Sequence, residues 1–526
     1  PLYSSAASDV YKRQALDQEM IDEIIQGYAD AARRLHQAGL DGVELVASHG
    51  YLPAQFINPR VNRRSDGYNG ELEQRLRFIR EILDAMRAST DAEFIIGLRI
   101  SADERDPEGL TEDESLAAVQ LLQGQLDYVH IVAGTSASLG GAVHIVPPMA
   151  VEAAYLAREA GTFKAQLSIP LFVTGRINQP QEAEAIIAKG QADVCGMTRA
   201  LICDPQMPNK SDSGRAEDVR ACIACNQACI GHFHKGLPIS CIQHPETGRE
   251  LLYGQPKPSA RGKRILVVGG GPAGMKAAAV AAQRGHQVTL YEASAQLGGQ
   301  IQLAQLLPRR SEFGGASTNL QREMQLAGVE VVRNTRVDRA LIERENPDHV
   351  IIATGAQPYW PNFERGGDLQ VVDAWQVLRD EVQLGRSVVV ADWRCDWIGP
   401  GIAERLVRAG HQVQLAVNGT HCGENLPLYV RDQLAGELHK LAVPIIPYAR
   451  LYGCDDSTVY LQHTASGEPM LLENVDSLVL CQGHQSVDDL GQQLKGLVPF
   501  QRIGDCLAPR TVEEAIHEGL KVAWAL

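Results

Sequence analysis

Nowhere in the 526 residues do eighteen apolar residues run together, so the chain carries no sequence signal for a bilayer-spanning helix. It also lacks a basic block. With 64 acidic against 49 basic side chains the formal charge is −15, which disfavours non-specific binding to nucleic acid. No secretory leader accompanies the eleven cysteines, and that combination reads as a reducing, cytoplasmic setting in which thiols stay free for metal. An initiator methionine is missing too. Pro1–Gln14, PLYSSAASDVYKRQ, shares no periodicity with the rest of the chain, and segment 1–14 is expected to be a non-native or disordered tail.

The remaining sequence has 44% apolar and 21% charged residues, as a globular protein does, and its length calls for two to four domains. Apolar residues at helical spacing over Ala15–Ala38 stop at Gly39, and a short apolar run, Gly42–Val46, reads as a buried strand. The alternation continues. A helix is expected over Glu71–Arg87, a strand over Phe94–Ile100, a helix over Thr111–Leu122 and a strand over Leu126–Val132. Strand Pro170–Thr174, helix Gln179–Ala188 and strand Ala192–Met197 come next. Alternating strands and helices imply a parallel α/β architecture. Five strands fit a (β/α)8 barrel lacking about three units at its front, with an open doubly wound sheet as the alternative.

Barrel enzymes place cofactor phosphates on the loops after their last two strands. Here those strands end in Gly175-Arg176 and Gly196-Met197-Thr198-Arg199, each offering bare backbone and a guanidinium fork. His49, just past a strand's C-terminal end and close to Tyr51, is the candidate catalytic imidazole. Arg99, at the end of the next strand, either faces a cofactor or pairs with a carboxylate.

Cys222, Cys225, Cys229 and Cys241 lie in CIACNQACIGHFHKGLPISC, spaced C-x2-C-x3-C with the fourth after eleven intervening residues. Three ligands crowded into eight residues suit an iron–sulfur cluster better than zinc, whose structural sites usually pair two separated C-x2-C knuckles; four unrelated buried cysteines are the remaining reading. Beyond the linker QPKPSARGK, a strand leads into Gly269-x-Gly271-x-x-Gly274, with Pro272 and Ala273 between the last two glycines. A helix, a second strand and Glu292 complete a dinucleotide fingerprint. A second strand-helix-strand, Ser387–Val417, lacks such glycines, and Asp392, Trp393 and Trp397 crowd its turn. Charge and bulk there oppose a pyrophosphate, so NAD(P)H binding is doubtful at this place.

Several stretches together (AGLDGVEL, HGYLPAQFINPRVNRRSDGYNGELEQRLRF, GRINQPQEA, GMTRALICDP and the cysteine segment) resemble the family of 2,4-dienoyl-CoA reductase and trimethylamine dehydrogenase. The resemblance implies an Old Yellow Enzyme-like barrel with FMN, a four-iron four-sulfur cluster and a C-terminal dinucleotide-binding region. It assigns Arg99, Gly175, Arg176, Gly196, Thr198 and Arg199 to FMN and the four cysteines to the cluster. LGGQ ending in Gln300, ATG ending in Gly355, and IGDC with Asp505 resemble the two-dinucleotide-domain flavoprotein reductases, which implies FAD at the first fingerprint. The first barrel strands of the family are absent, and YNGELEQR stands where many relatives have YGGSLENR. His49 resembles the histidine of the amine dehydrogenases, while Val46 stands where trimethylamine dehydrogenase has a tyrosine. IGHFHKGLPISCIQHPETGRE and VVVADWRCDWIGPG look most like members that act on dimethylglycine or N-methylproline.

The expected layout is a partial FMN barrel over 15–215, a cluster segment over 216–255 and an FAD-binding domain split into 262–385 and 481–526. An NAD(P)H-domain-like region, 386–480, whose phosphate loop reads as degenerate, lies between its parts. The leading expectation is oxidative N-demethylation of a small secondary or tertiary amine, with electrons passing from FMN through the cluster to FAD and on to a protein acceptor. The runner-up is NAD(P)H-driven reduction of an α,β-unsaturated thioester or enoate, with Tyr51 as proton donor. A third reading is a truncated, non-catalytic chain. A homo-oligomer is carried over from the relatives.

Overall fold

A computed structural model describes residues 15–526 and divides them into two compact units; the expected tail, 1–14, lies outside the described residues. The first unit runs to Pro147 and adds Glu152–Ile177 and Gln181–Met197. In it α1 (Gln18–Gln37), β1 (Gly42–Ala47), α2 (Arg77–Ala88), β2 (Ile95–Asp103), α3 (Glu112–Leu122) and β3 (Tyr128–Ala133) are followed by α4 (Ala157–Lys164), β4 (Leu171–Thr174), α5 (Pro180–Ala188) and β5 (Val194–Gly196). The strands pair in parallel in the order β1-β2-β3-β4-β5. Neighbours in space are neighbours in sequence, as in a (β/α)8 barrel and unlike a doubly wound sheet, whose order reverses at a switch point.

Local chemistry sets the helix ends. Asp17 caps α1 by accepting the Met20 N–H, and Thr111 with Glu114 forms a capping box on α3. The single helix expected over Glu71–Arg87 is two, because Leu76 turns tightly, its N–H reaching the carbonyls of Leu72 and Gln74. α4 has no counterpart in the sequence reading; AREAGTFK is short and carries a central glycine.

Register separates the two faces of the sheet. Leu45, Leu98, Ile100, Val129, Ile131, Leu171 and Val173 are buried in the aliphatic core shared with the helices. The alternate positions Glu44, Arg99, Tyr128, His130, Phe172 and Thr174 form a polar and aromatic face, with Tyr128 stacked on Phe172 at 4.3 Å. Gly97 is required there, because a Cβ would overlap the Tyr128 ring.

The second unit comprises Pro148–Val151, Asn178–Pro180 and Thr198–Leu526. β6 (Arg264–Val268), β7 (Gln287–Tyr291), β8 (Glu330–Val332) and β9 (His349–Ile352) join Phe500–Arg502 in a parallel sheet ordered Phe500–Arg502, β9, β6, β7, β8. α6 (Pro272–Gln283) and α7 (Phe313–Ala327) belong to this half. A second parallel sheet holds β10 (Gln370–Asp373), β11 (Ser387–Asp392), β12 (Gln412–Val417), β13 (Ile445–Ile446) and β14 (Ser477–Cys481) in the order β10-β14-β11-β12-β13, with α8 (Ile398–Arg408) between β11 and β12. The final helix, α9 (Val512–Ala525), packs on α6 so closely that a Cβ on Gly519 would lie 2.5 Å from the Ala273 carbonyl oxygen. No helix among the described residues is long and apolar enough to cross a membrane.

Candidate cofactor and active sites

In the first unit His49 follows β1 and adopts a left-handed backbone, φ 59°, next to Gly50 at φ 71°. A histidine there costs roughly 1–3 kcal/mol unless its surroundings hold it. Three contacts do so. Its N–H donates to Ser101 Oγ at 3.0 Å, its carbonyl accepts from Ser136 N at 2.9 Å, and Nδ1 lies 3.2 Å from the Gly134 carbonyl oxygen. A carbonyl only accepts, so Nδ1 carries the proton and Nε2 keeps a lone pair. Burial pushes the His49 pKa down to about 4, so the ring is neutral near pH 7. Tyr51 stands edge-on to it, with ring centres 6.1 Å apart, and is 50% exposed.

On the polar face of the sheet Arg99 Nη2 pairs with Glu44 Oε1 at 2.6 Å. Glu44 also accepts from the Tyr128 hydroxyl at 3.1 Å and meets His130 Nδ1 at 2.9 Å, while His130 Nε2 meets Thr174 Oγ1 at 2.7 Å. Arg99 thus makes the carboxylate pair and still has a buried Nε without a hydrogen-bond partner. Beyond β4, Arg176 is buried at φ 54°. Gly175 and Gly196 owe their lack of a side chain to protein neighbours: a Cβ would press on Leu156 and Tyr155 at 3.0 Å, or overlap Thr174 Oγ1. Met197 packs on the aliphatic core of this unit.

Thr198 begins the second unit at the start of the short helix Thr198–Cys203. Arg199 extends to the cysteine segment, where Nη1 donates to Asn226 Oδ1 at 2.8 Å and its charge lowers the pKa of Cys222 and Cys229 against the larger effect of burial. Cys222, Cys225, Cys229 and Cys241 lie close enough to act on one another electrostatically. Burial pushes Cys222 up to about 11 and raises Cys225 and Cys229. A hydrogen bond with Cys203 draws Cys241 down to about 7. Cys203, a fifth cysteine that the motif did not include, is buried and accepts from Gln243 Nε2 at 3.5 Å. Among the described residues no three His, Cys, Asp or Glu side chains converge as one metal ion requires.

The G-x-G-x-x-G turn borders a cavity of about 960 Å3. Gly269, at φ 110°, lies against the Ala353 carbonyl, and a Cβ on Gly274 would overlap the Gly269 carbonyl oxygen, so these two glycines seat helix on strand. Gly271 differs. It caps α6 ahead of Pro272, and a Cβ there would meet nothing within 4 Å, so the open backbone faces the cavity at a helix N-terminus. Glu292 accepts the Gly270 and Ser294 N–H groups, both at 2.7 Å, and lines the same cavity. Gln300 Nε2 donates to Asp505 Oδ2 at 2.7 Å, joining two distant motifs on the cavity wall with Ala273 and Gly355.

The turn after β11 is closed from within. Asp392 is 2% exposed; its Oδ1 accepts the Arg394 and Cys395 N–H groups at 3.1 and 3.0 Å, and its Oδ2 has no hydrogen-bond partner. A Cβ on Gly399 would stand 2.5 Å from that Oδ2, so the carboxyl fills the space above the first turn of α8. Burial, reinforced by Asp396, holds the Asp392 pKa well above the usual carboxylate range.

Comparison with known proteins assigns both halves. Residues 2–218 match the NADH:flavin oxidoreductase / NADH oxidase family, and 263–499 match the pyridine nucleotide-disulphide oxidoreductases. The N,N-dimethylglycine/sarcosine dehydrogenase of Chromohalobacter salexigens is 33% identical over 97% of this chain and 80% of its own length. An NADH oxidase of Thermoanaerobacter brockii is 37% identical over 96% and 78%. The chain belongs to the NADH:flavin oxidoreductase family. A 2-naphthoyl-CoA reductase has a similar structure, with a TM-score of 0.90 at 30% identity over 98% of this chain and 77% of the other.

As a member of that family the protein is a flavin-dependent oxidoreductase with an FMN-type barrel domain and a dinucleotide-binding domain of the FAD type. The donor sets fit these groups. Arg99 Nε is an orphaned donor on the polar barrel face, and Gly271 offers bare backbone at a helix N-terminus. The sequence reading missed Glu44, His130, Trp375 and Arg310. Trp375 Nε1 donates to His484 Nε2 at 3.2 Å, and both side chains line the large cavity with Arg310. Glu44 lies within AGLDGVEL but draws no role from that stretch, and the other three sit in no recognisable motif; strand register would have exposed Glu44 and His130.

Proposed function

We propose that the protein oxidatively demethylates a small secondary or tertiary N-methyl amine of the dimethylglycine or N-methylproline type. FMN held by Arg99, Arg176 and the neighbouring loops supplies the hydride acceptor. The four cysteines supply a one-electron iron–sulfur relay, and FAD held at Gly269–Gly274, Glu292 and Asp505 supplies a centre that handles one electron or two.

The observation that carries this reading is the hydrogen bond between His49 Nδ1 and the Gly134 carbonyl. With its only proton committed there and its pKa near 4, neutral His49 can accept a hydrogen bond through Nε2 but cannot donate one. It suits an amine N–H, or an ammonium that must lose its proton before hydride can leave the N-methyl carbon. It does not suit a carbonyl oxygen that needs a donor. Loss of hydride gives an iminium, and water splits this into formaldehyde, the shorter amine and a proton. The similarity to an N,N-dimethylglycine/sarcosine dehydrogenase supports the same substrate class. The C-x2-C-x3-C spacing, with the fourth cysteine after eleven more residues, supports a cluster over a single zinc ion.

One observation favours a second reading, reduction of an α,β-unsaturated thioester or enoate: Tyr51, half exposed beside His49, can donate a proton. Anaerobic mixing with dimethylglycine or N-methylproline decides between them. Rapid flavin bleaching by either amine, and none by NADPH, is the expected result; bleaching by NADPH alone would overturn the demethylase reading.

A further inference from the structure

Arg310 faces the flavin cavity without belonging to any of its motifs. Its guanidinium carbon lies 4.3 Å from the centre of the Phe313 ring and 4.7 Å from a ring of Trp397, so two aromatic side chains clamp it. Nε is shielded from solvent and has no hydrogen-bond partner. A cation in this position is costly unless an anion comes to meet it.

Where Arg310 lies indicates which anion. It lines the large cavity with Gly271, Gln300 and Asp505, and with Trp397 it also lines a small second cavity bordered by Ala224 and Cys225. One fixed cation therefore borders both the space for the flavin and a cysteine of the metal-ligand set. We propose that Arg310 sets the electron affinity of the flavin in the second unit, its charge favouring the reduced, more negative state and extending more weakly to the cysteine-bound centre. Removing the charge disfavours reduction of both, and of the flavin more, because electrostatic energies fall with distance and grow in a water-poor site. This inference rests on the proposed assignment of FAD and an iron–sulfur cluster to the second unit.

The test is a spectroelectrochemical titration of the full chain, R310M and R310K, with flavin absorbance and the electron paramagnetic resonance of the reduced cluster as readouts. FAD and iron are first quantified in the unsubstituted chain; absence of either defeats the cofactor reading rather than the role of Arg310. In R310M the reduction equilibrium of the flavin is expected to move at least tenfold towards the oxidised form, about 30 mV for a two-electron couple. R310K, which restores a charge without the planar fork, is expected to recover at least half of that shift. An unchanged flavin equilibrium in R310M, or an R310K as displaced as R310M, would overturn the proposal. If R310M does not retain flavin, R310Q replaces it in the same comparison, and loss of flavin from R310K as well counts against the proposal.

Discussion

His49 Nδ1 and the Gly134 carbonyl oxygen lie 3.2 Å apart, so a residue after the first strand of the barrel sheet has its tautomer chosen by a residue after the third. The left-handed backbone beneath the imidazole sets it against that carbonyl, and burial, which outweighs the pull of the bond towards the charged form, keeps the ring neutral.

Replacing His49 by Asn should lower the rate of flavin reduction by an N-methyl amine about 100-fold, the loss typical for a removed proton acceptor. Stopped-flow traces of parent and H49N check this. Because His49 titrates near 4, the parent profile should show no inflection around pH 6.5, and rates should rise with pH only as the amine itself loses its proton.

The same pKa has a stability consequence. In the unfolded chain His49 titrates near 6.5, so below that pH protons bind the unfolded state preferentially. Stability is then unaffected above pH 6.5 and declines as pH falls towards 4, by on the order of 3 kcal/mol for this group. Thermal melts at pH 7 and pH 4.5 should differ less for H49N than for the parent.

Serine at Cys222, Cys225, Cys229 or Cys241 should abolish stoichiometric iron and acid-labile sulfide, whereas serine at Cys203 should leave both in place. Cys203 contacts Cys241 but lies outside the spaced set. Colorimetric iron and sulfide assays on the five purified variants distinguish ligand from neighbour.

Asp392 gives a prediction of opposite sign to His49. Its folded pKa is raised, so its contribution is intact below the ordinary carboxylate pKa and is lost as pH rises towards the folded value. The neutral isostere D392N should melt higher than the parent at pH 8, with the gap closing near pH 4. NADH and NADPH should remain poor reductants of either protein.

Much of this was legible in the sequence because it depends on local pattern. Strand and helix periodicity set the order of elements, and the glycines of 269–274 announced a helix N-terminus. The fingerprint did not announce which glycine would be open: Gly269 and Gly274 are explained by packing, and Gly271 alone faces space. Contacts between strands were harder to read. Arg99 meets Glu44 because β1 and β2 pair with Val46 opposite Arg99, a register that neither strand encodes by itself. The position of Arg199 after β5 reads as that of a phosphate ligand, and it gives no hint that one nitrogen of its fork, Nη1, donates to Asn226, 27 residues away. Arg310 gave no signal, since its meaning comes from Phe313 and Trp397 closing around it.

The carboxyl of Asp392 over the first turn of α8 makes the second nucleotide-like region its own ligand. A side chain of the protein itself fills that turn, and the shape of the turn should therefore be indifferent to how much nicotinamide dinucleotide surrounds it.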